Sequence, residues 1–264
     1  MKEKKHLSRG GQTAIYLKQC FRSFANDRGW KIFISSALIA LLISLVTGRE
    51  MFREYDATRS GAFALVCACI WIGIFNSIRT ICREKEIIKR EKRTGLHMSA
   101  YILAHLLYEA VLCLAEALLV TIIVRIANAS HFIKAGVILL PTMELYITFF
   151  MVMLSSDALG LLISSVVKDE NTAMTVMPFA LIIQLIMSGM VFKLEGVSRF
   201  ISNFTVSKWG LNAICASADV NRMSVFTNDA YSASAGNLLF LWGILLVFTM
   251  LYAVLAVIAL EFER

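Results

Sequence analysis

Apolar residues fall into six long runs, and most charged residues are crowded into the gaps between them. The runs extend from about 30 to 47, 61 to 81, 99 to 127, 143 to 167, 172 to 192 and 236 to 260. Hydrocarbon about 30 Å thick is crossed at ~1.5 Å per helical residue, so roughly 20 mostly apolar residues make a span. The pattern therefore predicts an all-α integral membrane protein with six transmembrane helices. Pro141 suits the start of a helix better than its interior, which places it ahead of the fourth span. Only Lys168, Asp169, Glu170 and Asn171 separate the fourth and fifth runs, so a tight turn is expected there.

Composition narrows the class. Apolar residues make up 58% of the 264, charged residues 17%, and the mean hydropathy is +0.70. Soluble domains run about 45–50% apolar and about 25% charged. A soluble enzyme, a secreted disulfide scaffold and a disordered regulator are excluded on that ground. The net charge of +7 does not call for nucleic acid, because Lys and Arg collect in cytoplasmic loops of membrane proteins. Outside the spans, 17 Lys and Arg lie on the side of both termini and 9 on the other. Both termini are therefore expected in the cytoplasm, in a plasma or inner membrane. About thirty residues precede the first run, more than a cleavable signal peptide allows, so that run is expected to stay as an anchor. The six cysteines show no zinc-ligand spacing, and Cys67 and Cys69 are expected to be buried thiols.

Residues 1–29 are expected to form a cytoplasmic segment and 30–264 the six-span domain. Within the first, Gly11–Arg28 sets Ile15, Leu17, Phe21 and Phe24 against Lys18, Arg22 and Arg28, which suits an amphipathic helix on the cytoplasmic face. The second connection, Cys82 to Gly95, carries charges of both signs at helical offsets and a narrow apolar stripe at Ile87 and Ile88. Gly95 suits its C-terminal cap. Anionic lipid alone would account for the Lys and Arg. Glu84, Glu86 and Glu91 would be repelled by it, so a helix docking on a protein partner fits better. The fifth connection, 193–235, spaces Phe200, Ile201, Phe204, Trp209, Leu211 and Ile214 at three and four residues, which predicts short helices dipping into the outer interface.

Here a resemblance becomes specific. Glu84-Lys85-x-Ile87-Ile88-x-Arg90-Glu91-Lys92-x-x-Gly95, followed by Ser99-Ala100-Tyr101, resembles the E-R-x-V-F-x-R-E-R-x-x-G then S-A-Y run of ABC exporter membrane domains of the White/pleiotropic-drug-resistance (G) type. Ser188-Gly189 is similar to that family's Ser-Gly-Phe, with Met190 in place of the aromatic residue. The resemblance implies that Glu84, Lys85, Ile87, Ile88, Arg90, Glu91, Lys92 and Gly95 couple the membrane domain to an ATP-hydrolysing subunit. It implies an external re-entrant helical hairpin between spans five and six, and a second permease chain, identical or not, completing one pathway. It also implies that the second and fifth spans line that pathway, at Phe75, Asn76, Thr175, Met177, Leu181, Gln184 and Met187 to Met190. The sequence contains no G-x-x-x-x-G-K-[ST] loop. No cofactor or metal is therefore expected on this chain, and ATP and magnesium are expected in a separate partner.

Ionisable residues inside spans are costly and are functional candidates by default. Glu109 and Glu116, seven residues apart, share a face of the third span, and Asp157 lies mid-way along the fourth. His105, one turn before Glu109, could hydrogen-bond it. Glu109 also matches a Glu that the resembled family carries after S-A-Y, although the proline expected nearby is absent. Polar packing between helices is one account of these carboxylates; a proton-coupled carrier or channel is the other. A membrane-embedded lipid-modifying enzyme would need acidic or His clusters at metal-binding spacing, and the sequence has none.

Overall fold

The computed structural model describes residues 8–26, 28–47, 51–129, 132–133, 135–192, 194–224 and 227–262. Of the Lys and Arg counted above for orientation, Lys2, Lys4, Lys5, Arg49, Lys134, Lys193 and Arg264 lie outside them. Among the described residues the chain is helical, with no strand. In order these are α1 (Arg9–Asn26), α2 (Lys31–Thr47), α3 (Tyr55–Ser77), α4 (Thr80–Arg93), α5 (Met98–Ala127), α6 (Pro141–Val166), α7 (Glu170–Ile186), α8 (Val197–Ser202), α9 (Val206–Ser217) and α10 (Ala235–Phe262).

Each apolar run contains a helix, but only some are long enough to cross a membrane. Among the described residues four qualify by length and apolarity: α3 continued by α4, α5, α6 and α10. A fifth is reached if α1 and α2, bent 75° apart, are counted together. Taken alone, α2 and α7 have 17 residues each, about 25 Å of helix at 1.5 Å per residue. The run at 172–192 is cut short because the chain turns at Gly189, whose φ of +78° is open to glycine at little cost. Pro178 also removes one donor from inside α7.

The tightest seam joins α3 and α6. A Cβ on Gly73 would lie 2.5 Å from the Met153 carbonyl oxygen, and one on Gly160 would lie 2.1 Å from Ser77 Oγ. Small residues here let two backbones approach as helices do in lipid, where close packing must replace the hydrophobic drive. Around this seam pack Leu65, Ile70, Ile74, Phe149 and Val152. α9 is inserted among α3, α6 and α10. Leu211 and Ile214 are buried there, while Phe200, Ile201 and Phe204 around α8 stay exposed. Of the residues expected at the outer interface, those around α8 are thus exposed, whereas those of α9 are packed inside the chain, α9 being apolar or small on nearly every side.

The amphipathic stripe of α1 is also rotated from expectation. It turns Gln12, Thr13, Tyr16 and Cys20 toward the rest of the chain and leaves Ile15 and Phe21 exposed. Thr13 Oγ1 donates to the Ala100 carbonyl at 3.3 Å, and Gln12 bonds both Gly95 O and His97 N. Hydrogen bonds to the α4–α5 corner, together with ring contacts of Tyr16 on Tyr101 and of Phe21 and Phe24 on Tyr108, set which face of α1 points inward.

Candidate functional site

The helix that carries most of the candidate chemistry, α4, is fastened at both ends. Its first free amides, Ile81 N and Cys82 N, donate to Ser164 Oγ of α6, each at 3.0 Å. These are donors that a helix start cannot satisfy by itself. One turn on, Lys85 Nζ donates to the Val167 carbonyl at 2.7 Å and to Ser165 O at 3.4 Å. Lys92 Nζ does the same at the end of α10, bonding Leu260 O at 2.9 Å and Glu261 O at 2.8 Å. Both ammonium groups sit where unpaired carbonyls and the helix dipole favour a cation. Gly95, at φ +108°, closes α4 as expected, with Leu96 N reaching back to Glu91 O at 3.1 Å.

Two glutamates expected to face a partner are paired within the chain. Tyr101 OH donates to Glu84 Oε2 at 3.3 Å, and Tyr16 OH donates to Glu91 Oε2. The expected pair Ile87 and Ile88 also separates: Ile88 is 3% exposed and Ile87 is 49% exposed. What α4 leaves open is a stripe of Arg83, Glu86, Ile87 and Arg90, spaced three and four residues apart and hence on one helical face. Of that stripe, Glu86, Ile87 and Arg90 are among the residues expected to face a partner and Arg83 is not, although its place in the 3.6-residue period is present in the sequence. At the α4 end, Arg83 Nε lies 4.0 Å from Glu170 on α7. The adjacent turn is held by Asp169, which accepts from Thr172 N at 2.9 Å and Thr172 Oγ1 at 3.0 Å. The bond from the Thr172 amide, followed by that from its hydroxyl, holds the Asp169 carboxyl below the usual carboxylate range.

The intramembrane carboxylates do not form one cluster of mutual bonds. Glu116 accepts from Ser36 Oγ of α2 at 2.6 Å and from Asn76 Nδ2 of α3 at 2.8 Å, tying three helices together. Asp157 Oδ2 accepts from the Cys113 thiol at 2.6 Å, and its backbone carbonyl accepts from Ser77 Oγ at 2.8 Å. Asp157 Oδ1 and Glu109 Oε2 are buried without a hydrogen-bond partner. His105 contacts Cys20 Sγ at 3.6 Å across the α1–α5 boundary, rather than the expected Glu109. Of the two expected buried thiols, Cys69 is buried and Cys67 half-buried.

The expected pathway residues split between two environments. Phe75 and Thr175 are exposed, and Met187 and Met190 are half-buried. Met177, Leu181 and Gln184 point into this chain, where Gln184 Oε1 accepts from Ser207 N of α9 at 3.1 Å. They line no open face of this chain. The inward side of α7 cannot be read from its pattern, because its polar residues fall on both sides, Thr175 exposed and Gln184 buried. The side left open carries Thr175, Phe179, Ile182 and Ile186.

Several long apolar helices, buried polar joints between them and an amphipathic helix fastened at one end define a multi-pass membrane protein. Residues 11–218 match the ABC-2 type transporter membrane family, and the chain belongs to that family as the permease part of an ABC transporter. It is similar to the ABC transporter ATP-binding/permease protein Rv1747 of Mycobacterium tuberculosis (strain ATCC 25618 / H37Rv), at 25% identity over 229 residues. The match covers 83% of this chain and 26% of the relative, so the chain spans about a quarter of that relative's length.

Proposed function

We propose that this chain is half of the membrane part of a G-type ABC exporter, driven by an ATP-hydrolysing partner seated on the open stripe of α4. The Glu84–Gly95 run with Ser99-Ala100-Tyr101 supports the subfamily. The observation that carries the reading is the division of α4 into two faces. Lys85, Ile88 and Lys92 hold it to the permease, while Glu86, Ile87 and Arg90 remain available to a groove. In this reading α2, α3, α5, α6, α7 and α10 are six spans, with local membrane thinning and residues 187–192 making up the length that α7 lacks. Both termini and α4 are cytoplasmic, α8 and α9 form the external re-entrant hairpin, and the membrane is the plasma or inner membrane. A second copy or a homologue packs against the open faces of α3 and α7, so that Trp71, Phe75, Thr175 and Phe179 border the pathway. ATP and magnesium bind in the partner.

The relative named for ATP-binding and permease functions supports such a pairing. The experiment is co-purification with the ATPase, followed by ATP turnover and export measured side by side in vesicles. A permease that leaves the ATPase rate unchanged, or that transports without ATP, overturns the proposal.

A further inference from the structure

α1, α4 and α5 enclose a chamber of about 440 Å³, within the roughly 300–1,000 Å³ of small-molecule sites. Its wall is charged in opposite senses at different depths. Glu109 lies deep, 2% exposed, with Oε2 bonded to nothing. The ring of Tyr108 lines the same chamber, and Glu84 lies along its wall. Arg22 and Arg83 border it as well, and both are exposed to the outside. A buried acceptor without a donor is expensive, which asks for a ligand bearing N–H groups or a cation at that end. An aromatic ring lining the same chamber is compatible with an ammonium. The guanidinium groups at the mouth suit a phosphate, which they bind in a fork. An apolar guest leaves Glu109 unpaired, and a simple anion meets two carboxylates. A metal ion is poorly served, since no group of three His, Cys, Asp or Glu converges among the described residues.

We infer that the chamber binds a zwitterionic phospho-amine headgroup, with its ammonium at Glu109 and its phosphate at Arg22 and Arg83. The inference goes beyond the exporter reading, because the chamber is lined mainly by α1, α4 and α5, with Asn76 of α3 at its border. The headgroup can come from a lipid such as phosphatidylethanolamine or from a free phosphoethanolamine.

The full chain in phosphatidylglycerol nanodiscs, without nucleotide, is titrated with dihexanoyl phosphatidylethanolamine and separately with phosphoethanolamine, and bound ligand is counted by native mass spectrometry. Saturable binding of one ligand per chain is expected, weakened at least tenfold by Glu109→Gln and severalfold by Arg22→Gln. The second variant changes an exposed side chain and decides the matter if the first does not fold. Binding of only the acylated ligand supports a lipid source, and equal binding of both supports a soluble one. No saturable binding to the wild type, or wild-type affinity in the folded variants, overturns the inference.

Discussion

Lys85 and Val167, 82 residues apart in sequence, are joined by a 2.7 Å hydrogen bond from the lysine ammonium to the valine carbonyl. The bond ties the middle of α4 to the end of α6, and α6 is in turn locked to α3 at Gly73 and Gly160. α4 and the α3–α6 pair at the centre of the protein are thereby joined by a continuous run of direct contacts.

Replacing Lys85 with Met should keep the stem packed while leaving the Ser165 and Val167 carbonyls without their cation. The cost is on the order of 1–3 kcal/mol, visible as a lower melting temperature in detergent. Lys85→Arg should recover part of it. Full stability in Lys85→Met would show that this bond does not hold α4 in place.

Ile87 and Ile88 should behave oppositely. Ile87→Asp is expected to leave the melting temperature of the isolated chain unchanged and to abolish association with the ATPase. Ile88→Ala, in the core, should cost about 2–5 kcal/mol of stability. Association is checked by co-purification and stability by thermal unfolding. A destabilised Ile87→Asp with intact association would reverse the assignment of faces.

Glu116 separates the helix-joint account from the proton-relay account. Glu116→Ala leaves the Asn76 amide without its acceptor and Ser36 with only the Ile32 carbonyl, and should destabilise by about 1–3 kcal/mol. Glu116→Gln retains an acceptor for Ser36, and rotation of the Asn76 amide accommodates the new donor. Transport by Glu116→Gln should keep the wild-type pH profile. Loss of pH dependence in that variant would favour a carboxylate that carries protons.

Asp169 predicts an acid-dependent term. Its carboxyl is held below the ordinary range by the Thr172 bonds, so its ionised cap contributes fully above the unfolded value of about 4. That contribution fades as pH falls through the lower folded value. Asp169→Ala should therefore melt below the wild type at neutral pH, with the gap closing only in solutions more acid than about pH 4. Asp169→Asn, which still caps, should show a smaller gap. A gap that is constant into strong acid would mean the ionised carboxylate is not the source.

The sequence by itself determined the membrane class, the order of the apolar helices, the charged helix between two of them and its closure at Gly95. Each of these is local: apolar run length, charge spacing and a glycine at a helix end act within a few turns of one another. It also located Glu109, Glu116 and Asp157 as costly buried groups, without naming their partners. Only the tertiary structure decided that Glu116 joins Ser36 and Asn76, that Glu91 answers to Tyr16, and that His105 meets Cys20. It likewise decided that Met177, Leu181 and Gln184 face inward, and that α9 is packed inside the chain. The reason is physical. In a helix meant for lipid every face is apolar, so the moment that orients a helix in water is nearly absent. Rotation about the helix axis is then set by the small residues and hydrogen bonds that a neighbour supplies, and those neighbours lie tens of residues away along the chain.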